Sequence, residues 1–249
     1  MPRPNESRSG PDFIIAGVMK GGTTALANLL RTHPDVRVVN RAGKNEGEFH
    51  FFDQLYGTQT AEWYRAKFDA ARPAGGIVGE KTPGYIANPR CLLRMASDVP
   101  RTNVIVILRD PVTRFLSQVE VRNRSKNLNR TPLECFEEPQ LRERFLWRGI
   151  YHPQVALLQT LFGPEQLRIV YADDLRRQPV EVINGLFTFL GLASRDIPQE
   201  PTEDERLDLA ASEDAAAAAL REFYRPHDER LYELLGDEQI RGWSSLSTN

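Results

Sequence analysis

Four short segments of this 249-residue chain hold residue types that could bind and transfer an anion. The first is Gly17-Val18-Met19-Lys20-Gly21-Gly22-Thr23-Thr24. Gly17 and Gly22 have the spacing of the phosphate-loop pattern G-x-x-x-x-G-K-[ST], and Thr24 stands at its hydroxyl position. Thr23 fills the slot of the lysine, and the lysine lies inside the loop as Lys20. Backbone N–H groups at a helix N-terminus can still cradle phosphate oxygens. The cation is aimed differently, which argues against the ordinary contact to an ATP γ-phosphate.

The second segment is Glu46-Gly47-Glu48-Phe49-His50-Phe51-Phe52-Asp53. Glu48 and His50 lie two apart, so in an extended segment they share a face. Aromatic neighbours raise a carboxylate's pKa toward that of a useful base. Taken singly, His50 reads as a hydrogen-bonded structural histidine and Glu48 as an exposed charge. The third segment, Gly79-Glu80-Lys81-Thr82-Pro83-Gly84-Tyr85, puts Lys81 at the carboxyl end of a short strand. Lys20 and Lys81 together could stabilise charge on a transferring group and its leaving oxygen. The fourth is Leu108-Arg109-Asp110-Pro111, where Arg109 ends the most apolar run of the chain. Its planar, permanent charge suits phosphate, and Ser117 follows on the helix that Pro111 opens. Alone, Arg109 and Asp110 read as a surface pair and Ser117 as a solvated serine.

These segments need a scaffold that brings strand ends together. Apolar runs predict strands at Phe13–Gly17, Val36–Val39, Gly76–Gly79, Val104–Leu108 and Leu167–Tyr171. The fourth run is β-branched, uninterrupted and expected at the centre. Helical spacing follows Thr24, Val112 and Val155 and recurs from Val182 to Leu190. Ala215–Tyr224 begins another helix on propensity, Pro226 interrupts it, and Leu231–Leu235 make a last apolar face. Residues 193–214 are acidic, proline-containing and poor in large apolars, as in a surface loop. The alternation predicts an α/β, P-loop-type three-layer fold, with a central, mostly parallel sheet of about five strands flanked by helices. Ligands bind beyond the carboxyl ends of such strands. The expected organisation is a flexible arm over residues 1–10, one domain over 11–243 and a flexible tail over 244–249.

Composition excludes several classes. The apolar fraction is 41% and the charged fraction 27%, as in a globular chain. A net charge of −2 gives no bulk attraction for nucleic acid. Cys91 and Cys135 make neither a disulfide framework nor a metal motif, and are expected as buried, inert thiols. No run reaches the length of a membrane span, and the polar start MPRPNESRSG lacks a secretory apolar segment. The expectation is a cytoplasmic protein with no membrane or nucleic-acid partner.

In register, the four segments resemble the sulfotransferases that use 3′-phosphoadenosine 5′-phosphosulfate (PAPS), closest to the heparan sulfate N- and 3-O-sulfotransferase branch. The likeness runs through Ile14–Leu26, His33–Val36, Glu48–Asp53, Glu80–Tyr85 and Ile107–Arg114, and more weakly from Gly149 to Trp243. The resemblance implies that Lys20, Gly21, Gly22, Thr23 and Thr24 hold the 5′ end, with Lys20 at the bridging oxygen. It implies that Arg109 and Ser117 hold the 3′-phosphate. Glu48 is implied as the general base, with His50 the runner-up, since aryl-type relatives use histidine. The co-substrate would be PAPS, released as adenosine 3′,5′-bisphosphate, with no metal. The acceptor would be a small molecule or sugar bearing a hydroxyl, or less readily an amine. Phe49 and Phe52 could line an apolar acceptor pocket, and Arg122 and Arg124, with Lys126 and Arg130, could steer an anionic one. Residues 195–215 lack the cysteines and lysine of the nucleotide-covering loop in heparan sulfate enzymes. The competing readings are a nucleotide or small-molecule kinase with a variant P-loop and Asp110 as magnesium ligand, and a non-catalytic nucleotide-binding protein.

Overall fold

Apolar runs with no polar alternation can be strands only where both sheet faces are covered. In a computed structural model, which describes residues 9–42, 47–127, 129–197 and 215–246, those runs form β1 (Phe13–Gly17), β2 (Val36–Val38), β3 (Ile77–Lys81), β4 (Asn103–Leu108) and β5 (Leu167–Tyr171). The sheet is five-stranded, in the order β2-β3-β1-β4-β5, and every pairing is parallel. All five residues of β1 are buried, as are the last five of β4. The chain order reverses at β1 and β4, the position where an α/β sheet opens a crevice at its carboxyl edge.

The helices are α1 (Thr23–Leu30), α2 (Ala61–Ala71), α3 (Pro89–Asp98), α4 (Pro111–Lys126), α5 (Pro132–Glu137) and α6 (Pro139–Leu146). They continue as α7 (Tyr151–Leu161), α8 (Ala172–Arg177), α9 (Pro179–Phe189), α10 (Ala215–Leu235) and α11 (Glu238–Arg241). By packing, residues 1–108 with 157–202 form one compact unit, and 109–156 with 203–249 form another. The first holds the whole sheet. Phe13 and Ile15 of β1 and Ile105 and Ile107 of β4 pack there with Leu26 of α1 and Phe187 of α9. Residues 1–8 and most of the acidic stretch 193–214 lie outside the described residues. Ser9 and Gly10, expected in a flexible arm, are tied down: the Ser9 hydroxyl and the Gly10 N–H both donate to Asp69.

The second unit is helical. Phe115 and Leu116 of α4, Phe145 and Leu146 of α6, and Leu220 and Tyr224 of α10 form its core. Arg114 is fully buried among them. Its guanidinium donates to Gln118 Oε1 at 2.6 Å and to the Phe145 carbonyl, which pairs two of its three nitrogens inside the core. Two expectations are corrected here. Pro226 does not break the last helix, which runs unbroken over Ala215–Leu235. Proline removes one backbone donor, but Pro226 lies on the exposed face, where the freed carbonyl reaches water. Nor do residues 244–246 fray. Ser245 is fully buried and its hydroxyl donates to Asp228, while the Ser244 N–H bonds Asp110.

Asp228 gives this unit a pH signature. Burial pushes its carboxyl from 3.8 up to about 8, with Ser245 pulling the other way and Asp110 adding to the rise. A raised folded-state pKa contributes stability that is full below the unfolded value and lost as pH rises through the folded one. Between pH 5 and 8.5 the wild type should therefore lose up to about 4 kcal/mol more stability than Asp228→Asn. Urea midpoints of the two proteins at both pH values measure this. Parallel pH dependences would contradict it.

Candidate active site

The loop between β1 and α1 takes its shape from glycine. A Cβ on Gly21 would lie 2.8 Å from the Ile107 carbonyl oxygen and 2.8 Å from Val18 Cγ2. Gly22 sits at φ 98°, in the left-handed region that side chains disfavour. The Val18 N–H bonds the Ile107 carbonyl at 3.0 Å, which pins the loop to β4. Gly22 is also the N-cap of α1 and has no side chain to cap it, so the first-turn N–H groups are left for an anion. Lys20 has φ 67° and is half-buried within the loop. Thr23 is buried and Thr24 exposed at the helix start. Bare glycine backbone, an uncapped helix start and a loop lysine together fit a phosphate-bearing nucleotide.

Lys81 ties this loop to the second segment. Ile15 of β1 pairs with Lys81 of β3, so Lys81 emerges at the carboxyl edge beside the loop. Its Nζ lies 3.3 Å from Thr24 Oγ1 and 3.9 Å from Glu48 Oε1. Burial pushes the Lys81 ammonium pKa down, Glu48 opposes this and Arg31 adds to it. The Glu48 side chain is 30% exposed, open enough for an acceptor to reach. Its Oε2 lies 2.9 Å from His50 Nε2, and His50 Nδ1 lies 2.9 Å from Asp53 Oδ2. Both imidazole nitrogens thus face carboxylate oxygens. Asp53 was visible in the sequence only as the last residue of its segment. It needed the π-helical turn over Phe51–Leu55 to bring it back onto His50.

Glu80 has no role in the sequence reading. It lies in β3 with no exposed surface, and strand alternation turns it to the face opposite Lys81. Three hydroxyls meet its carboxylate: Tyr64 and Tyr85 donate to Oε1 at 2.6 and 3.2 Å, and Thr82 donates to Oε2 at 2.6 Å. Burial pushes its pKa up, the three hydroxyl bonds and His50 pull it back, and the balance lies at about 7. The apolar run ends at Gly79, so the sequence did not mark Glu80 as a strand carboxylate that must find donors.

Two expected acceptor residues are corrected. Phe49 and Phe52 have no exposed surface. Phe49 stacks on Phe68 at 5.2 Å, and Phe52 meets Tyr64 and Tyr85 edge-on. Their rings are core and line no pocket open to an acceptor. Cys91 and Cys135 are buried and free, and burial pushes the Cys91 thiol pKa up to about 12. This fits inert thiols.

From Arg109 onward the fourth segment belongs to the second unit. Arg109 Nε donates to Thr113 Oγ1 at 3.0 Å, and the Arg109 carbonyl accepts from the Tyr151 hydroxyl at 3.0 Å. Ser117 lies on α4 and is 6% exposed. Asp110 caps α4: Oδ1 accepts from Val112 N and Thr113 N, and Oδ2 accepts from Ser244 N. Both oxygens are thus committed to backbone donors, which argues against the magnesium ligand of the kinase reading. Arg122 lies over the Phe145 ring at 5.7 Å and Arg124 pairs with Glu120. Both are engaged within α4 and its neighbours, which weakens their claim on an acceptor.

A parallel sheet with a glycine loop between its first strand and an uncapped helix defines a P-loop-type, nucleotide-using scaffold. The comparisons narrow that class. The family model "Sulfotransferase domain" matches residues 10–214. The chain belongs to the sulfotransferase family, the class of enzymes that use PAPS. It is 30% identical to human heparan sulfate glucosamine 3-O-sulfotransferase 6, over 95% of this chain and 74% of that one. It is 34% identical to human heparan sulfate glucosamine 3-O-sulfotransferase 3B1, over 75% of this chain and 47% of the relative. The crystal structure of a sulfotransferase from Alicyclobacillus acidocaldarius superposes with a TM-score of 0.74 at 26% identity, covering 93% of this chain and 98% of that one. Among the described residues, no helix is long and apolar enough to cross a membrane.

Proposed function

We propose that this chain moves the sulfuryl group of PAPS to a hydroxyl of a small-molecule or sugar acceptor, with Glu48 as general base. The observation that carries this reading is the position of Lys81. Its ammonium lies within reach of both Thr24, at the start of the phosphate-loop helix, and the Glu48 carboxylate. A base and an anion-binding loop are thereby joined through one cation. Glu48 removes the acceptor proton as the acceptor oxygen bonds to sulfur. The bond from sulfur to the bridging oxygen of the 5′-phosphate breaks, and its electron pair stays on that oxygen. Lys20 neutralises the charge that develops there, and Lys81 the charge on the transferring group. Thr23, Thr24 and the Gly22 N–H hold the 5′ end, with Gly21, whose N–H bonds the Val18 carbonyl at 3.0 Å, shaping the turn that presents them. Arg109 and Ser117 are assigned to the 3′-phosphate. Proton removal and leaving-group stabilisation are the whole of the chemistry, so positioning supplies most of the acceleration.

Glu48 is preferred to His50 on geometry. His50 has both nitrogens turned to carboxylates, which suits a group that orients Glu48. Sugar hydroxyls are favoured among acceptors because the relatives above are named for a glucosamine hydroxyl. The expected result is release of adenosine 3′,5′-bisphosphate from radiolabelled PAPS, matched by label on one member of an acceptor panel. Calorimetry should show binding of the bisphosphate without added metal. Failure to bind either nucleotide would sink the proposal. Magnesium-dependent ATP turnover without PAPS binding would favour the kinase reading.

A further inference from the structure

Four consecutive backbone N–H groups in the segment that carries Glu48 and His50 end on two hydroxyls. Phe49 N and His50 N donate to Thr82 Oγ1 at 3.1 and 3.2 Å. Phe51 N and Phe52 N donate to Tyr85 Oη at 2.8 and 3.4 Å. Each hydroxyl spends its own proton on the Glu80 carboxylate. A hydroxyl has one proton to give and two lone pairs to fill. Thr82 therefore has its hydrogen-bonding capacity filled: one bond given to Glu80, two received from the backbone. The direction of every bond in this network is set by a single group that only accepts.

We infer that Glu80 is the positioning residue of the active site, an acceptor-only anchor that holds residues 49–52 so that Glu48 and His50 face the reacting group. The inference rests on the assignment of Glu48 as base. His50 supports it: its backbone sits at φ 58°, a left-handed conformation that non-glycine residues adopt only where surrounding bonds impose it. The groups facing Glu80 are Tyr64 from α2, Thr82, Tyr85, His50 and, from α3, Cys91. Burial raises its pKa and the three hydroxyl bonds, with His50, hold the balance at about 7; the ionised, acceptor-only form is the one those bonds select. Lys81, the next residue, turns to the other face of β3 and meets Thr24. One dipeptide therefore sets the base through its first member and touches the phosphate loop through its second.

Glu80→Gln is nearly isosteric but turns one acceptor oxygen into an N–H donor. Facing Thr82, that donor competes with the Phe49 and His50 N–H groups for the same lone pairs. The expected result is a fall in kcat of about 10- to 100-fold. The KM for PAPS and the affinity for adenosine 3′,5′-bisphosphate should stay unchanged, because the Gly17–Thr24 loop is untouched. Thr82→Val should lower kcat similarly, Thr82→Ser should restore it, and the Glu80→Gln/Thr82→Val pair should lose no more than either alone. Thr82→Val against Thr82→Ser carries the test by itself if Glu80→Gln does not fold. Folded Glu80→Gln with wild-type kcat, equal losses in Thr82→Ser and Thr82→Val, or additive losses in the pair would overturn the inference. Glu48→Gln is measured alongside. If it is inactive while Glu80→Gln is wild type, only the anchor is lost; if it is fully active, the base assignment fails first.

Discussion

Glu48→Gln is expected to lower kcat by about 10²- to 10⁴-fold, the span attributed to one positioned general base. Affinity for adenosine 3′,5′-bisphosphate should remain within about a factor of two of wild type, the pattern of a group acting on the chemical step alone. The substitution is mild structurally. Glu48 is partly exposed, and glutamine keeps an oxygen or an N–H to offer His50 Nε2 across the 2.9 Å contact. It also leaves Lys81 its contact with Thr24. What it removes is the capacity to take a proton. His50→Ala tests the neighbour: it deletes the group between Glu48 and Asp53 and should cost less than loss of the base. Near-wild-type turnover in Glu48→Gln, with His50→Ala inactive, would transfer the base assignment to His50. Stopped-flow or quench measurement of a single turnover separates this chemical step from product release.

The elements that position Glu48 were unequally legible in the sequence. Buried parallel strands show themselves as apolar runs, so β1 and β5 match their expected bounds and β4 begins one residue early. β3 was placed too early because Glu80 and Lys81 are a poor strand ending by pattern alone. Their charges are tolerable there because Tyr64, Thr82 and Tyr85 meet one and Thr24 and Glu48 meet the other. Partners drawn from as far as residues 24 and 64 are invisible to any local pattern. Phe49 and Phe52 show the converse limit: aromatic residues beside a candidate carboxylate can be either pocket or core, and only packing decides. At Pro226 a reliable local rule lost to position, because an exposed helix face lets water take the carbonyl that proline leaves unbonded. The phosphate loop was legible because its chemistry is local. Glycine spacing, the strand before and the helix after are all contiguous.

Lys20→Ala should reduce kcat/KM for PAPS by about 10²- to 10³-fold, the usual consequence of deleting one preorganised group at a developing oxyanion. The loop itself should survive, since its path is set by Gly21 against Ile107 and by the Val18–Ile107 hydrogen bond rather than by the Lys20 side chain. Alanine at φ 67° carries some strain, as lysine does there already. The informative comparison is with Lys81→Ala. Lys81 touches both Thr24 and Glu48, so its loss should disturb binding and base together and move KM as well as kcat. Lys20, assigned to the leaving oxygen, should act mainly on kcat, with the bisphosphate still bound. A further discriminator is the leaving group. If Lys20 neutralises the bridging oxygen, a donor whose leaving group needs less charge stabilisation should recover much of the lost rate in Lys20→Ala and little of it in Glu48→Gln. A Lys20→Ala enzyme with full sulfuryl transfer from PAPS would show that the displaced lysine lies off the reaction path, and that the loop binds through its backbone alone.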